Sequence, residues 1–376
     1  MGRFTPLADP QVDDAIELQL RRAVEAIREA HPATEAVFLL GGFGRAEGSA
    51  VVEEGGARAL NDYDLLVISQ DERGKRPLRD VSRTLAEAFR IDFVDIGLWS
   101  PAVLDRLSPT IFNYDLKHGA QVLFGRAELL DRVPCFTATQ LPPWEGVQLL
   151  LNRMAGLLSG FALRGEPALV ERVGPQYFRN QVVKVLVACG DALIVQEGAY
   201  RHRYAERREI LRLWDRGGNL PPWLGREATA RMDQAYGEKL APGSAPWPDD
   251  VGLMVEILPT LERIFLHCLA RYLRREVSSL ASAADAYLDT HRLGWLGRAI
   301  AVLRPAAGVP QRHVVYASLP LILFSLPLLH AEDRVRLARK ARGVLRGAAE
   351  GEQKNDGGWD ALRRVGVQLW ERHCHG

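Results

Sequence analysis

The spacing of apolar residues along the chain divides it into two parts of different character. Between Val12 and Ala30 they recur at helical intervals, with Ile16, Leu18, Leu20, Val24 and Ile27 available to one face. Short apolar runs then predict strands: AVFLLGG entering a glycine turn at Gly41-Gly42, YDLLVIS from Tyr63, and IDFVDIGLW from Ile91. RDVSRTLAEAFR, from Arg79 to Arg90, has helix composition. About the first 130 residues therefore read as helix, strand, long turn, strand, helix, strand, a mixed α/β unit.

Beyond Pro142 the period becomes helical almost throughout. Trp144 to Leu163, Leu169 to Glu197, Tyr204 to Trp214 and Val251 to Arg275 all carry it. DRGGNLPPWLG and APGSAPWPDD interrupt it with the Pro and Gly that end helices. The expected fold class is α+β: a domain over residues 1–140 with a mixed sheet flanked by helices, then an all-helical region over 141–376, with a further division near 245. The most apolar run, Val314 to Leu329, is shorter than a membrane span and holds Pro320 and Pro327, so it reads as buried helix. No membrane association is expected.

Composition narrows the setting. The chain has 376 residues, 47% apolar and 25% charged, an ordinary globular balance. A net charge of +1 argues neither for nucleic acid nor for acidic lipid. Cys135, Cys189, Cys268 and Cys374 show no paired spacing, which suits reduced thiols and a cytoplasmic location. The first residues lack the apolar stretch of a secretory signal.

Candidate chemistry concentrates in LGGFGRAEGSAVVEEGGARALNDYDLLVI, Leu40 to Ile68. Gly48 falls one place late for a dinucleotide fingerprint, and no Gly-Lys-Ser/Thr follows for a Walker loop. The acidic pair says more. Asp62 and Asp64, two apart at a strand, project to one side, and adjacent carboxylates call for a cation between them. Mg²⁺ takes one or two carboxylates plus phosphate oxygens, and a glycine turn at Gly41 and Gly42 offers backbone N–H groups to phosphate. The parts describe a site for a metal-bound nucleoside triphosphate.

Leu40-Gly41-Gly42 followed by Asp62-Tyr63-Asp64 resembles the DNA polymerase beta nucleotidyltransferase superfamily, and GGFGRAEG looks most like its protein uridylyl- and adenylyltransferase branch. AVVEEGGAR is longer than the usual spacer and reads as an inserted hairpin or loop. IFNYDLKHGAQVLFG is similar to the helix and short strand that close such domains. The resemblance implies a third carboxylate on a later strand, which completes a Mg²⁺ or Mn²⁺ site with Asp62 and Asp64 and takes the proton from the attacking hydroxyl. Asp92 and Asp95 are the candidates. Asp92 shares a strand face with Val94, Ile96 and Leu98, whereas Asp95 sits with Phe93 and small Gly97, so alternation favours Asp95.

Other candidates have bland alternatives. Arg45 could clamp a phosphate or pair at the surface with Glu47 or Glu53. Ser49 could donate to phosphate or be a solvated loop residue, and Lys117 likewise. Asn152 and Arg153 interrupt an apolar helix; Lys184 and Asp191 lie seven apart on one helical face and could contact nucleotide or acceptor, or form ion pairs. Arg201 to Arg216 and Arg334 to Arg346 are basic, but solvated helix faces explain them without RNA. The terminal HCHG reads as a frayed end. The expected activity is transfer of a nucleoside monophosphate, with AMP from ATP favoured, to the hydroxyl of a small molecule, releasing pyrophosphate. The alternatives are the same chemistry on RNA or a regulatory protein, and a non-catalytic nucleotide sensor.

Overall fold

The computed structural model describes residues 2–53, 56–60, 62–164, 166–170, 175–243, 250–294, 306–326, 331–346 and 358–374. The protein is α+β, with one small mixed sheet and many helices. Its chain forms two compact units. The first comprises Met1–Pro142, Glu197–Gly217 and Tyr236–Ala245, and the second Pro143–Gln196, Gly218–Ala235 and Pro246–Gly376. The chain thus leaves the first unit after residue 142 and returns to it twice, an arrangement that one boundary near residue 140 does not describe. The division expected near 245 falls next to residues 244–249, which lie outside the described residues.

In the first unit, α1 (Pro10–Ala30) starts behind Asp9, whose side chain accepts from the Gln11 N–H, and Pro10 occupies the first turn, where a missing donor costs nothing. Val12, Ile16, Leu20, Ala23, Val24 and Ile27 form its buried face. Leu18, expected on that face, is 51% exposed, because two residues from Ile16 is more than half a turn away.

The strands are β1 (Ala36–Leu39), β2 (Ala50–Glu53), β3 (Gly56–Ala59), β4 (Tyr63–Ile68), β5 (Val94–Trp99) and β6 (Gln121–Gly125). Between them lie α2 (Gly41–Gly44), α3 (Lys75–Phe89), α4 (Pro101–Leu104) and α5 (Ile111–Gly119), and α6 (Glu128–Asp131) follows. The sheet runs β5-β4-β1-β6, with β1 antiparallel to both neighbours and β4 parallel to β5. A parallel pair needs a crossover, and α3 supplies it. Strand alternation sorts the two faces. Val37, Leu39, Tyr63, Leu65, Val67 and Val94 share a core with α1 and α3. Phe38, Leu66 and Ile68 share the other with Leu104, Leu116 and Leu129. The AVVEEGGAR insertion is a hairpin, β2 against β3, in register Ala50↔Ala59 to Glu53↔Gly56; its tip, residues 54–55, lies outside the described residues.

The later elements are α7 (Trp144–Gly160), β7 (Phe161–Arg164), β8 (Glu166–Leu169), α8 (Pro175–Gln196), α9 (Tyr204–Arg216), α10 (Arg226–Leu240), α11 (Asp250–Leu273), α12 (Leu280–Thr290), α13 (Gln311–Leu323), α14 (Ala331–Leu345) and α15 (Trp359–His373). The region is not all-helical as expected: β7 and β8 pair as an antiparallel hairpin. Pro167 lacks the N–H that a helix ladder needs, and Phe161 is buried against the rings of Phe178 and Trp359. The apolar run is buried helix over Val314–Leu323, and Trp359 Nε1 donates to the Ile322 carbonyl near its end at 2.8 Å. Residues 327–329 of that run lie outside the described residues. Asn152 is a structural hub whose Oδ1 accepts from Tyr316 Oη (3.0 Å) and Trp370 Nε1 (3.3 Å). Among the described residues, no helix is long and apolar enough to cross a membrane.

Candidate functional site

β4 and β5 bring two of the expected acids together. Asp64 and Asp95 are register partners in adjacent parallel strands, which lie about 4.8 Å apart with side chains of paired residues on one face. The phase of β5 follows the alternation: Val94, Ile96 and Leu98 pack on the core shared with α1 and α3, so Asp95 stands on the opposite face. Asp92 precedes the strand and is exposed. Asp95 is exposed and Asp64 half-buried; Asp62, also half-buried, lies one residue before β4.

The glycine turn meets this pair through Gly41. The Leu40 N–H donates to the Asp64 carbonyl at 2.8 Å. Gly41 has φ +63°, and a Cβ placed there would lie 1.8 Å from Asp64 Oδ2. Glycine is therefore required twice, by the backbone conformation and by the carboxylate against it. The ladder of α2 begins with the Gly44 N–H donating to Leu40, so the amides of Gly41 and Gly42 remain outside it. Among the described residues no three His, Cys, Asp or Glu side chains are gathered as a ready-made metal centre. The Asp64–Asp95 pair does match the one or two carboxylates that Mg²⁺ takes when phosphate oxygens and water complete its shell.

The residues after the glycines turn into the protein. Arg45 is 9% exposed; its Nη1 donates to Asp115 Oδ2 on α5 at 3.1 Å, its Nε lies 3.9 Å from Glu47 Oε2, and its guanidinium lies 5.0 Å from the Tyr204 ring centre. The Glu47 contact is thus a buried one and not a surface pair. Burial works to lower the Arg45 pKa, but the Asp115 carboxylate and nearby phenols outweigh it and the net shift is upward. Tyr200 Oη also donates to Asp115 (3.3 Å), and Arg207 donates to Tyr200 Oη while stacking on the Tyr200 and Tyr204 rings. His202, in the same neighbourhood, is pushed down to about 4 by burial and then by the surrounding cations. Ser49 is buried and donates to the Lys239 carbonyl at 3.3 Å.

Lys117 reaches the carbonyls of Leu130 and Asp131 at 3.2 and 3.4 Å, closing the end of α6. Lys184, half-buried, and Asp191, buried, lie on α8 in the second unit. Of the basic stretches, Arg207 is buried and Arg216 pairs with Glu209; Lys340 pairs with Asp285. Sequence reasoning passed over Asp115, Tyr200, Tyr204 and Arg207. Each looks like an ordinary polar helix or loop residue, and the one available signal was Arg45 itself, a cation two residues from an acid in a glycine-rich turn. Comparisons of the chain with protein-family models, characterised proteins and solved structures returned no match.

Proposed function

We propose that this protein is a metal-dependent nucleotidyltransferase that moves a nucleoside monophosphate, AMP in the first instance, from its triphosphate to a hydroxyl of a small molecule, with release of pyrophosphate. The observation that carries the reading is the register of Asp64 with Asp95, set against the Gly41 backbone.

In this reading Asp62, Asp64 and Asp95 hold Mg²⁺ or Mn²⁺. When bound, the ion neutralises triphosphate charge and orients the reacting phosphate. The amides of Gly41 and Gly42 donate to phosphate oxygens, and only a side chain as small as hydrogen lets phosphate approach that turn. Asp95, exposed at the sheet edge, accepts the proton of the attacking hydroxyl on a carboxylate oxygen. Arg45 and Ser49 hold the turn in shape through the buried network and do not themselves touch phosphate.

The test is incubation with labelled ATP, CTP, GTP and UTP, each with Mg²⁺ or Mn²⁺, with and without a small-molecule cell extract. The expected result is metal-dependent transfer of label to a small acceptor with matching pyrophosphate, lost in Asp64→Asn at unchanged melting temperature. No transfer from any nucleotide, or full turnover by Asp64→Asn, overturns the reading.

A further inference from the structure

The second unit contains a cavity of about 200 Å³ walled by α8, α10 and α11 and by the segment leading into α10. Its floor is apolar, with Leu186 and Ile257 both buried. Trp223 forms one wall, and the Arg263 guanidinium lies 5.2 Å from the centre of its ring.

Four charges line the cavity, and they divide into two kinds. Arg231 and Glu256 neutralise each other, with Nε and Nη2 of the arginine donating to Oε1 at 3.3 and 3.0 Å. Arg263 and Glu227, both exposed to solvent at the rim, do not. Among the described residues, no carboxylate pairs with Arg263 and no cation pairs with Glu227. Thr260 adds a hydroxyl to the same lining. One open cation and one open anion around an apolar floor ask for a ligand that carries both complements and an apolar body.

Size limits the ligand further. Sites for drug-sized molecules run from roughly 300 to 1,000 Å³. This cavity is smaller, below what a nucleoside triphosphate fills and near the volume of a single amino acid. The net charge of its lining is zero, which disfavours a polyanion.

We propose that this cavity binds a free amino acid with a large apolar side chain. The carboxylate meets Arg263, the ammonium meets Glu227, and the side chain lies on Trp223, Leu186 and Ile257. A guanidinium already stacked on an indole is held in place and presents its edge donors to a carboxylate at little ordering cost. The site stands apart from the transfer chemistry of the first unit and does not depend on it.

Calorimetric and tryptophan-fluorescence titrations of the full chain with L-phenylalanine test this, with phenylacetate and phenethylamine as probes that each lack one charge. Saturable phenylalanine binding is expected, with the fluorescence response removed by Trp223→Phe. Each single-charge probe should bind roughly tenfold more weakly or worse, and so should phenylalanine to Arg263→Ala and to Glu227→Gln, each confirmed folded by circular dichroism. The proposal is overturned by the absence of saturable binding up to about 10 mM, by phenylacetate or phenethylamine binding as well as phenylalanine, or by wild-type affinity in both charge variants.

Discussion

Glu47 and Tyr204, 157 residues apart, are joined by a 2.7 Å hydrogen bond from the Tyr204 N–H to Glu47 Oε2. The other carboxylate oxygen accepts from the Ala205 N–H at 2.9 Å. Both donors belong to the first turn of α9, whose N-cap residue, Arg203, makes no side-chain cap of its own. A buried carboxylate from the glycine-rich turn thus satisfies two orphan amides and meets the positive end of the helix dipole. It also ties residues 197–217 to the first unit.

Removing this carboxylate leaves two amides of α9 without acceptors and removes the negative charge 3.9 Å from Arg45. Glu47→Ala should lower unfolding free energy by about 2–4 kcal/mol, combining a lost cap with buried hydrogen bonds to a charged acceptor. Glu47→Gln, which keeps one acceptor oxygen, should lose about half as much. Urea denaturation followed by circular dichroism measures both, and a loss below about 0.5 kcal/mol for the alanine variant would contradict the capping role.

Gly41 and Gly42 should respond differently to a methyl group. At Gly41 a Cβ falls 1.8 Å from Asp64 Oδ2 in a left-handed backbone; at Gly42 the nearest atom is the Glu47 carbonyl oxygen at 3.3 Å, with no left-handed strain. Gly41→Ala should displace the Asp64 carboxylate and cut nucleotide transfer by at least about 10²-fold, while Gly42→Ala keeps more of it. Turnover assays of the two variants decide the order.

Asp95→Asn should leave triphosphate affinity nearly unchanged and slow transfer by about 10²–10⁴-fold, the usual size of a general-base contribution. Asp92→Asn should do far less, since Asp92 precedes the strand and lies outside the Asp64 register. Nucleotide binding by calorimetry alongside turnover separates the two effects; equal losses in both variants would remove Asp95 from its role.

His291 and His313 stack with ring centres 3.9 Å apart, packed against Trp144 and Tyr287, and Tyr287 Oη lies 2.6 Å from His313 Nδ1. Burial lowers the pKa of both rings. For His313 the charge of its neighbour His291 and then Arg312 add to this, and its pKa is pushed down to about 4 from the ordinary 6.5. Below pH 6.5 the unfolded chain takes up protons that the folded rings refuse, so stability is complete above about 6.5 and falls as pH drops towards 4. Because the rings are only partly buried, solvent screening reduces the effect to about 1–2 kcal/mol. Melting temperatures from pH 7.5 to 4.5 should show a steeper acid loss in wild type than in His313→Gln, and parallel curves would refute the assignment.

The sequence by itself determined whatever depends on near neighbours. Period-2 alternation put Asp95 on the opposite side of β5 from Val94, Ile96 and Leu98; the glycines and acids of Leu40–Asp64 marked the turn and strand start; AVVEEGGAR was readable as an insertion. These follow from backbone geometry within a few residues. The tertiary structure alone decided which distant groups meet. That Asp64 faces Asp95 depends on the order in which strands pair, and that Arg45 faces Asp115 depends on how α5 packs across 70 residues of chain. The hairpin at Phe161–Leu169 begins where the helical period was expected to run on to Leu163, because burial of Phe161 against Phe178 and Trp359 depends on residues far along the chain. Glu47 reads locally as a solvated loop acid; burial against the first turn of α9 makes it a cap, since burial is a property of the packed chain and not of the residues beside it.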